Sequence, residues 1–496
     1  MKRTLLILLL LTLTATTRAD APAAETRPIT LGAAIEQALR NNYDVQIVRY
    51  SPWLAAYDFR IARGAYDPTF SLSGTHDYSK TGSGLFNGSV PIPGKTSDEN
   101  NFASGLTGLL PWGMTYSLQG STRETYGVSS TNNFFDNSDA AASLNLTQPL
   151  LKNFWTDGSR LAISVAKNRI QYSEQELQLQ LMTTITEVER AYYSLAFAQE
   201  NVKVQEKALQ LAEQLFAENK KRVEVGVLAP LDEKQAQSQV AARRADLLAA
   251  RQLLNTQQNA LKNLITADYA RLHSVTLQPS EPLAAVSQTF SLQESWRRGL
   301  TSRPELLRAK LDLERAGLQL KYSKNQVFPQ LDLVGSYGFS GSRREFSGAL
   351  DDVRNGNLPF YSYGIQLSIP LGNVAARNRY KQGKVSVEQA LLTTKKLEQD
   401  VMVQIDDAIK SAQAAFERVD ATRQASQYAA AALDAERKKL ENGKSTSFVI
   451  LQLQRDLTFA SSEEIRALAD YNIALAQVAF AEASTLQRRK IDVTAN

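Results

Sequence analysis

Reactive side chains are scarce in this chain of 496 residues. It has no cysteine and only two histidines, His76 and His273. Without cysteine there is no disulfide, no thiolate metal ligand and no N-terminal thiol to lipidate. The histidines are far apart, one in a strand-like segment and one in a loop-like segment. They supply neither a metal-ligand set nor a general base with an orienting partner. No catalytic residue, metal or cofactor is expected, and no enzyme. Lysine and arginine total 56 against 51 acidic residues, a net charge of +5 that is spread along the chain. Nucleic-acid binding needs a concentrated basic stripe, and none is visible.

Two short segments stand out because they set charges beside a glycine. One reads Arg222-Val223-Glu224-Val225-Gly226-Val227-Leu228-Ala229-Pro230-Leu231-Asp232. The other reads Lys439-Leu440-Glu441-Asn442-Gly443-Lys444-Ser445-Thr446-Ser447-Phe448-Val449. The two glycines are 217 positions apart and suit the left-handed residue that ends a helix. Pro230 and Ser447 suit the start of the next helix. Asp232 could cap that returning helix or make a polar contact with a neighbour. Each segment therefore predicts a tight helix reversal, with Gln235 and Gln452 following.

The rest of the chain is also written twice. Ile29-Thr30-Leu31 opens a helical run, and Phe290-Ser291-Leu292 opens another 261 positions later. The same offset carries Pro68-Thr69-Phe70 onto Pro329-Gln330-Leu331. A repeat this long is a duplicated half-protein, since solenoid units run roughly 20–50 residues. The first repeat is read as 20–266, a linker as 267–289, the second repeat as 290–486, and a tail as 487–496. Each repeat predicts a helix, two strands, a very long helix, a turn and a returning helix.

Residues 159–225 contain no proline, and at about 1.5 Å per residue that helix is roughly 100 Å long. Residues 373–442 form its counterpart, and return helices are predicted at 231–266 and 448–486. Leu181, Val188, Leu195, Val202, Leu209 and Phe216 recur every seven residues, as do Val401, Ala408 and Ala415. Ile405, Ala412 and Val419 lie beside the second set. That is a coiled-coil seam. Ala191, Ala198 and Ala212 add a second face of small residues, so each helix can take partners on two sides.

Strands are expected at about 68–80, 141–149, 330–340 and 362–370. Phe70, Leu72 and Gly74 alternate with Ser71, Ser73 and Thr75; Tyr363, Ile365 and Leu367 alternate with Gly364, Gln366 and Ser368. Alternation alone fits an ordinary half-buried sheet equally well. Strands of about ten residues, with helices not arranged to cover them, favour a closed barrel with lipid outside and water inside. The connections, including Gly341-Ser342 and Asn355-Gly356-Asn357, read as turn-rich outer loops. The first repeat carries an insert of 40 residues between its strands. Its alternating Met114, Tyr116 and Leu118, after Leu110-Pro111-Trp112-Gly113, predict a hairpin, either in the membrane or over the mouth.

The N-terminus, Met1-Lys2-Arg3 with Leu5 to Leu13 and a small-residue site at Thr17-Arg18-Ala19, reads as a signal peptide over 1–19. No later stretch is apolar enough for a membrane helix.

From Ile29 to about Leu486 the chain resembles the TolC-type outer membrane efflux proteins. The resemblance rests on the paired tips Arg222 to Gly226 and Lys439 to Gly443 with Gln235 and Gln452. The strand starts at Pro68 and Pro329, the strand ends Gln148-Pro149-Leu150 and Ile369-Pro370-Leu371, and the duplication also carry it. It implies a duplicated α+β membrane fold: a homotrimer forming one outer-membrane β-barrel continuous with a periplasmic coiled-coil barrel of α-helices. It implies an exit duct for efflux or type I secretion, conducting passively. The partners implied are a periplasmic adaptor (a membrane fusion protein), an inner-membrane pump of RND, ABC or MFS type, and outer-membrane lipid. The competing reading is a trimeric envelope-spanning scaffold without a lumen.

By the same resemblance the tips, with Arg222, Gly226, Val227, Leu228, Lys439, Gly443, Lys444 and Phe448, would form the entrance and the adaptor dock. Asp232 matches a tip aspartate used in entrance-closing contacts. The best-known enterobacterial member has acidic rings six and nine positions after its second tip glycine, where this chain has Val449 and Gln452. Its closing arginine falls on Ser445. Closure here is expected to rest on contacts around Leu228 and Phe448 and on a partner for Asp232, with Lys444 the candidate.

Overall fold

The computed structural model describes residues 26–86, 90–92, 94–129 and 133–491. The signal-peptide segment and residues 492–496 of the tail lie outside the described residues. In chain order the elements are β1 (Thr26–Ile29), α1 (Leu31–Asn41), α2 (Tyr43–Arg49), α3 (Ser51–Arg63), β2 (Thr69–Lys80), β3 (Gly84–Phe86), β4 (Val90–Ile92), β5 (Thr96–Leu109), β6 (Thr115–Val128) and β7 (Phe134–Pro149). They continue with α4 (Gly158–Glu224), α5 (Pro230–Ile265), α6 (Tyr269–Leu272), β8 (Thr276–Pro279), α7 (Leu292–Ser302), α8 (Pro304–Asn325), β9 (Gln330–Arg343), α9 (Phe346–Asn355), β10 (Leu358–Ser368), α10 (Val374–Glu441), α11 (Ser447–Ala481) and α12 (Thr485–Arg488).

The duplication is visible in how these helices begin and end. Thr30 caps α1, its Oγ1 accepting from Ala33 N at 3.2 Å. Asn42 stops that helix, its N–H donating to Ala38 O at 2.8 Å, and its Oδ1 accepts from Asp44 N at 2.9 Å. In the second repeat Arg303 stops α7 by donating to Gly299 O, and Pro304 opens α8 where a missing N–H is harmless.

The chain divides into two compact units. One contains residues 182–290 and 407–480 with the N-terminal part up to 46. Its interior is built from the seams expected of α4 and α10: Val188, Leu195, Ala198 and Ala212 are buried, as are Ala412 and Val419. The segment between repeats is more ordered than a linker. It holds α6 and β8, and β8 pairs in parallel with β1, Thr26 opposite Thr276 and Ile29 opposite Pro279. Gln258 secures it, exchanging hydrogen bonds with the backbone of Leu277 at 2.7 and 2.9 Å. Lys262 donates to His273 O at 2.9 Å.

The other unit, residues 47–181, 291–406 and 481–491, contains a six-stranded antiparallel sheet in the order β10-β9-β7-β6-β5-β2. The hairpin of the insert is β5 and β6. It lies in this sheet between β2 and β7, paired on both sides, and does not fold away from the other strands. Its turn closes through Gly113, at φ +94, whose N–H donates to Leu110 O at 2.8 Å.

The register puts the alternation into rows. Phe70, Leu106, Leu118, Leu144, Tyr337 and Tyr361 are successive neighbours across all six strands on one face. One residue along, Thr69, Thr107, Ser117, Asn145, Ser336 and Ser362 form the matching row on the opposite face. The apolar face is open: Leu72 is 76% exposed and Tyr363 84%. Nearer the hairpin tips it turns polar, with His76 Nδ1 2.8 Å from Asn100 Oδ1, and Asn100 Nδ2 donating to Glu124 at 3.1 Å.

Two outer-loop expectations need correction. Gly341 and Ser342 lie within β9, and Asn355-Gly356-Asn357 ends a helix, α9, rather than an open turn. Gly356 takes the left-handed conformation at φ +67, and Asn357 N–H donates to Asp352 O at 3.0 Å. Arg343 Nε grips the Asp352 carboxylate at 2.6 Å, so α9 is held by a contact no local pattern announces. The last long helix also stops earlier than expected, at Ala481, because Ala483 adopts φ +58.

Candidate functional site: the paired helix reversals

Both reversals use one hydrogen-bonding scheme. At the end of α4, Gly226 N–H donates to Val223 O at 3.0 Å and Val227 N–H to Arg222 O at 2.8 Å. At the end of α10, Gly443 N–H donates to Leu440 O at 3.1 Å and Lys444 N–H to Lys439 O at 2.8 Å. These are Schellman closures, with Gly226 at φ +79 and Gly443 at φ +73. The Arg/Lys-x-x-x-Gly spacing follows directly. The basic residue sits four positions before the glycine, where its carbonyl accepts the closing bond and its charge favours the negative helix end.

The returning helices start differently. Pro230 occupies the first position of α5 after Ala229 at the N-cap, so Asp232 is not the cap. It lies in the first turn, where the helix dipole favours a carboxylate. Among the described residues Asp232 and Lys444 do not form an ion pair. Ser445, where the resemblance suggested an arginine, instead donates its hydroxyl to Glu436 Oε1 at 2.6 Å, and Lys439 Nζ lies 2.9 Å from Glu436 Oε2. The Ser445 hydroxyl, then the Lys439 ammonium, hold the Glu436 carboxyl below the usual carboxylate range.

Beneath the turns, Leu215, Leu440, Ile450 and Leu451 form a buried cluster. Beside it is a residue that the sequence reading passed over. Asn219 is buried; its Oδ1 accepts from Ser447 Oγ at 2.9 Å and its Nδ2 reaches Asp232 O at 3.5 Å. One amide thus ties the end of α4 to the starts of both returning helices. The available signal was the small-residue face of Ala191, Ala198 and Ala212, on which position 219 falls seven residues later.

Val225, Val227, Leu231 and Phe448 are exposed, and Leu228 is half-buried. Phe448 and Gln452 line a groove with Gln235, Ser238, Gln239 and Leu451, so the two motif glutamines share one recess. Val449 is half-buried and Arg222 partly so. Within a single chain Phe448 is therefore surface and not packing.

A family model described as outer membrane efflux protein matches residues 110–267 and 297–482. The chain belongs to that family. The outer membrane protein TolC of Vibrio cholerae is 22% identical over 361 residues, 72% of this chain and 79% of the relative. TolC of Escherichia coli K12 is 22% identical over 389 residues, covering 76% and 74%. Among solved structures, the outer membrane protein VceC of Vibrio cholerae aligns at TM-score 0.67 and 19% identity, covering 91% of this chain and 95% of that one. The CmeC outer membrane channel of Campylobacter jejuni aligns at 0.65 and 16%, covering 94% and 87%. This outer membrane efflux protein thus has the duplicated TolC-type fold and is an outer membrane protein. Both reversals, Gly226 and Gly443, fall inside the matched segments.

Proposed function

We propose that this chain is the exit duct of an efflux or type I secretion assembly, built as a homotrimer and conducting passively to the outside. The observation that carries this is the pair of rows across the sheet: six apolar residues on one face and six hydroxyl or amide residues on the other. Such a wall separates lipid from water only when closed, because an open edge leaves backbone groups unsatisfied in the hydrocarbon. The reversals form the periplasmic entrance. Their exposed Val225, Val227, Leu231 and Phe448, with the Gln235–Gln452 groove, are the dock for an adaptor that brings the inner-membrane pump.

Reconstitution of the purified protein into planar bilayers tests this. Stepwise ion conductance is expected. A folded trimer that inserts but never conducts, even after the tips are removed by proteolysis, would favour the scaffold without a lumen.

A further inference from the structure

The connection between β9 and β10 is a helix laid on the apolar face of the sheet. Tyr337 stands in the apolar row, so Phe339, Gly341 and Arg343 lie on the same face. All three meet α9 or the residue that ends it. A Cβ on Gly341 would collide with the Ala349 carbonyl, and one on Gly356 would come within 3.2 Å of the Phe339 ring. The Arg343 guanidinium donates to both oxygens of Asp352, at 2.6 and 3.0 Å. Ala140 and Ser138 of β7 stand opposite Gly341 and Arg343, and they are buried at 4% and 0% exposure. Small residues in the strands let the helix backbone come down onto the sheet.

Fixing α9 in this way covers only one of its sides. Ala349 and Asp352 are buried against the strands. Phe346, Leu350 and Val353, spaced four and three apart, share one flank, and Phe346 and Leu350 are 41% and 40% exposed. Ser347, Asp351 and Asn355 share another, and all three are exposed. An open apolar flank beside a polar one is the pattern of a helix at a boundary between lipid and water.

The height of α9 along the strands points to the same boundary. α8 leads into β9 and β10 leads into α10, so α9 lies at the end of the sheet away from those helices. On this face the apolar residues begin near Leu331, opposite Leu367. Leu331 to Gly341 is ten residues. At about 3.4 Å each and a tilt of about 40°, they rise about 25 Å, the height of the apolar band of an outer-membrane barrel. Gly341 lies under the middle of α9. There the composition changes as well: the row Gly74, Phe102, Thr122, Ala140 and Gly341 gives way to His76, Asn100, Glu124, Ser138 and Arg343. α9 packs on β9 and β7, set back from β10 and β2, the edges at which neighbouring copies would join. Its open flank is therefore placed against lipid and not against a second copy.

We infer that α9 is an interfacial helix, riding on the outside of the wall where the outer leaflet ends, with Phe346 and Leu350 inserted among the upper ends of the lipid chains. This rests on the reading of the apolar face as the lipid face. The chain has no cysteine, so single labels can be placed on a clean background. Phe346→Cys, Leu350→Cys, Asp351→Cys and, on the bare apolar row, Leu118→Cys are each labelled with a small fluorophore. The whole protein is then placed in nanodiscs of phosphatidylethanolamine and phosphatidylglycerol. Acyl chains brominated near the carbonyl quench from the lipid, and iodide quenches from water. Labels at 346 and 350 should lose fluorescence to the brominated chains and resist iodide, while the label at 351 should do the reverse. Replacing these exposed side chains leaves the Arg343–Asp352 grip and the Gly341 contact in place. If iodide quenches 350 as it does 351, while bromine still quenches 118, the helix stands in water and the inference falls alone. If neither quencher reaches 350, protein covers the flank and the inference falls in the same way. If bromine fails to quench 118, the lipid-face reading falls with it.

Discussion

Asn219 joins the end of α4 to the starts of α5 and α11. Replacing it by alanine leaves the buried Ser447 hydroxyl without its acceptor, a loss of about 1–3 kcal/mol. Faster amide hydrogen exchange is expected at the starts of α5 and α11, with the sheet unchanged. Uniform exchange across the chain would deny Asn219 a local role. Glu436 gives a pH signature. Its carboxyl is held below the ordinary glutamate value of 4.5 by Ser445 and Lys439, so the contact stabilises the folded chain above that value. The stabilisation fades as pH falls through the lowered value. Ser445→Ala should therefore lower the melting temperature at neutral pH, and the difference from the unmodified protein should vanish in acid. A difference that persists in acid would mean that Ser445 acts by some other contact. Neither position was marked by its type. Asn219 looked like one more polar residue near a helix end, and Ser445 was read through an arginine it does not replace.

The reversals themselves were legible because a glycine at positive φ leaves a local mark. Gly226→Ala and Gly443→Ala should each cost about 1–2 kcal/mol of local stability, since alanine resists the left-handed conformation. Thermal melts of the two single variants check this. The sheet was legible in part. Alternation gave the faces of β2 and β10, but it is identical whether a hairpin stands in a wall or folds over a mouth. Only the register of Thr107 opposite Ser117, and Ser117 opposite Asn145, distinguishes them. α9 was missed because Gly341 and Gly356 resemble turns, while what holds the helix is the remote pair Arg343 and Asp352. β8 is four residues long and exists only through its partner β1. If the rows face lipid and water as proposed, Leu118→Arg should destabilise the wall by about 2–4 kcal/mol, and Gln119→Arg, at an exposed position on the polar face, should be tolerated. The heat-modifiable folded band on a denaturing gel reads both. Equal loss from the two neighbours would refute the two-solvent assignment.

If three copies assemble as proposed, their six-stranded sheets would close a wall of eighteen strands. Barrel diameter grows roughly in proportion to strand number, so this wall would be wider than one built without β5 and β6. Electron cryomicroscopy of the protein in nanodiscs should count those strands directly. A wall made only of β2, β7, β9 and β10 from each chain, with the hairpin standing outside it, would contradict the count.

The hairpin has a consequence for how such proteins diversify. Because β5 and β6 enter and leave on the same side, removing residues 96–128 would return β2 beside β7 still antiparallel, with Thr69 and Asn145 still on one face. Strands gained or lost in pairs therefore preserve the inside and outside of every other strand. Nothing in the α4 and α10 reversals has to change in response. If the wall and the reversals serve as proposed, the girth of the outer opening can drift, or be engineered, two strands at a time, while the reversals keep their own sequence constraints.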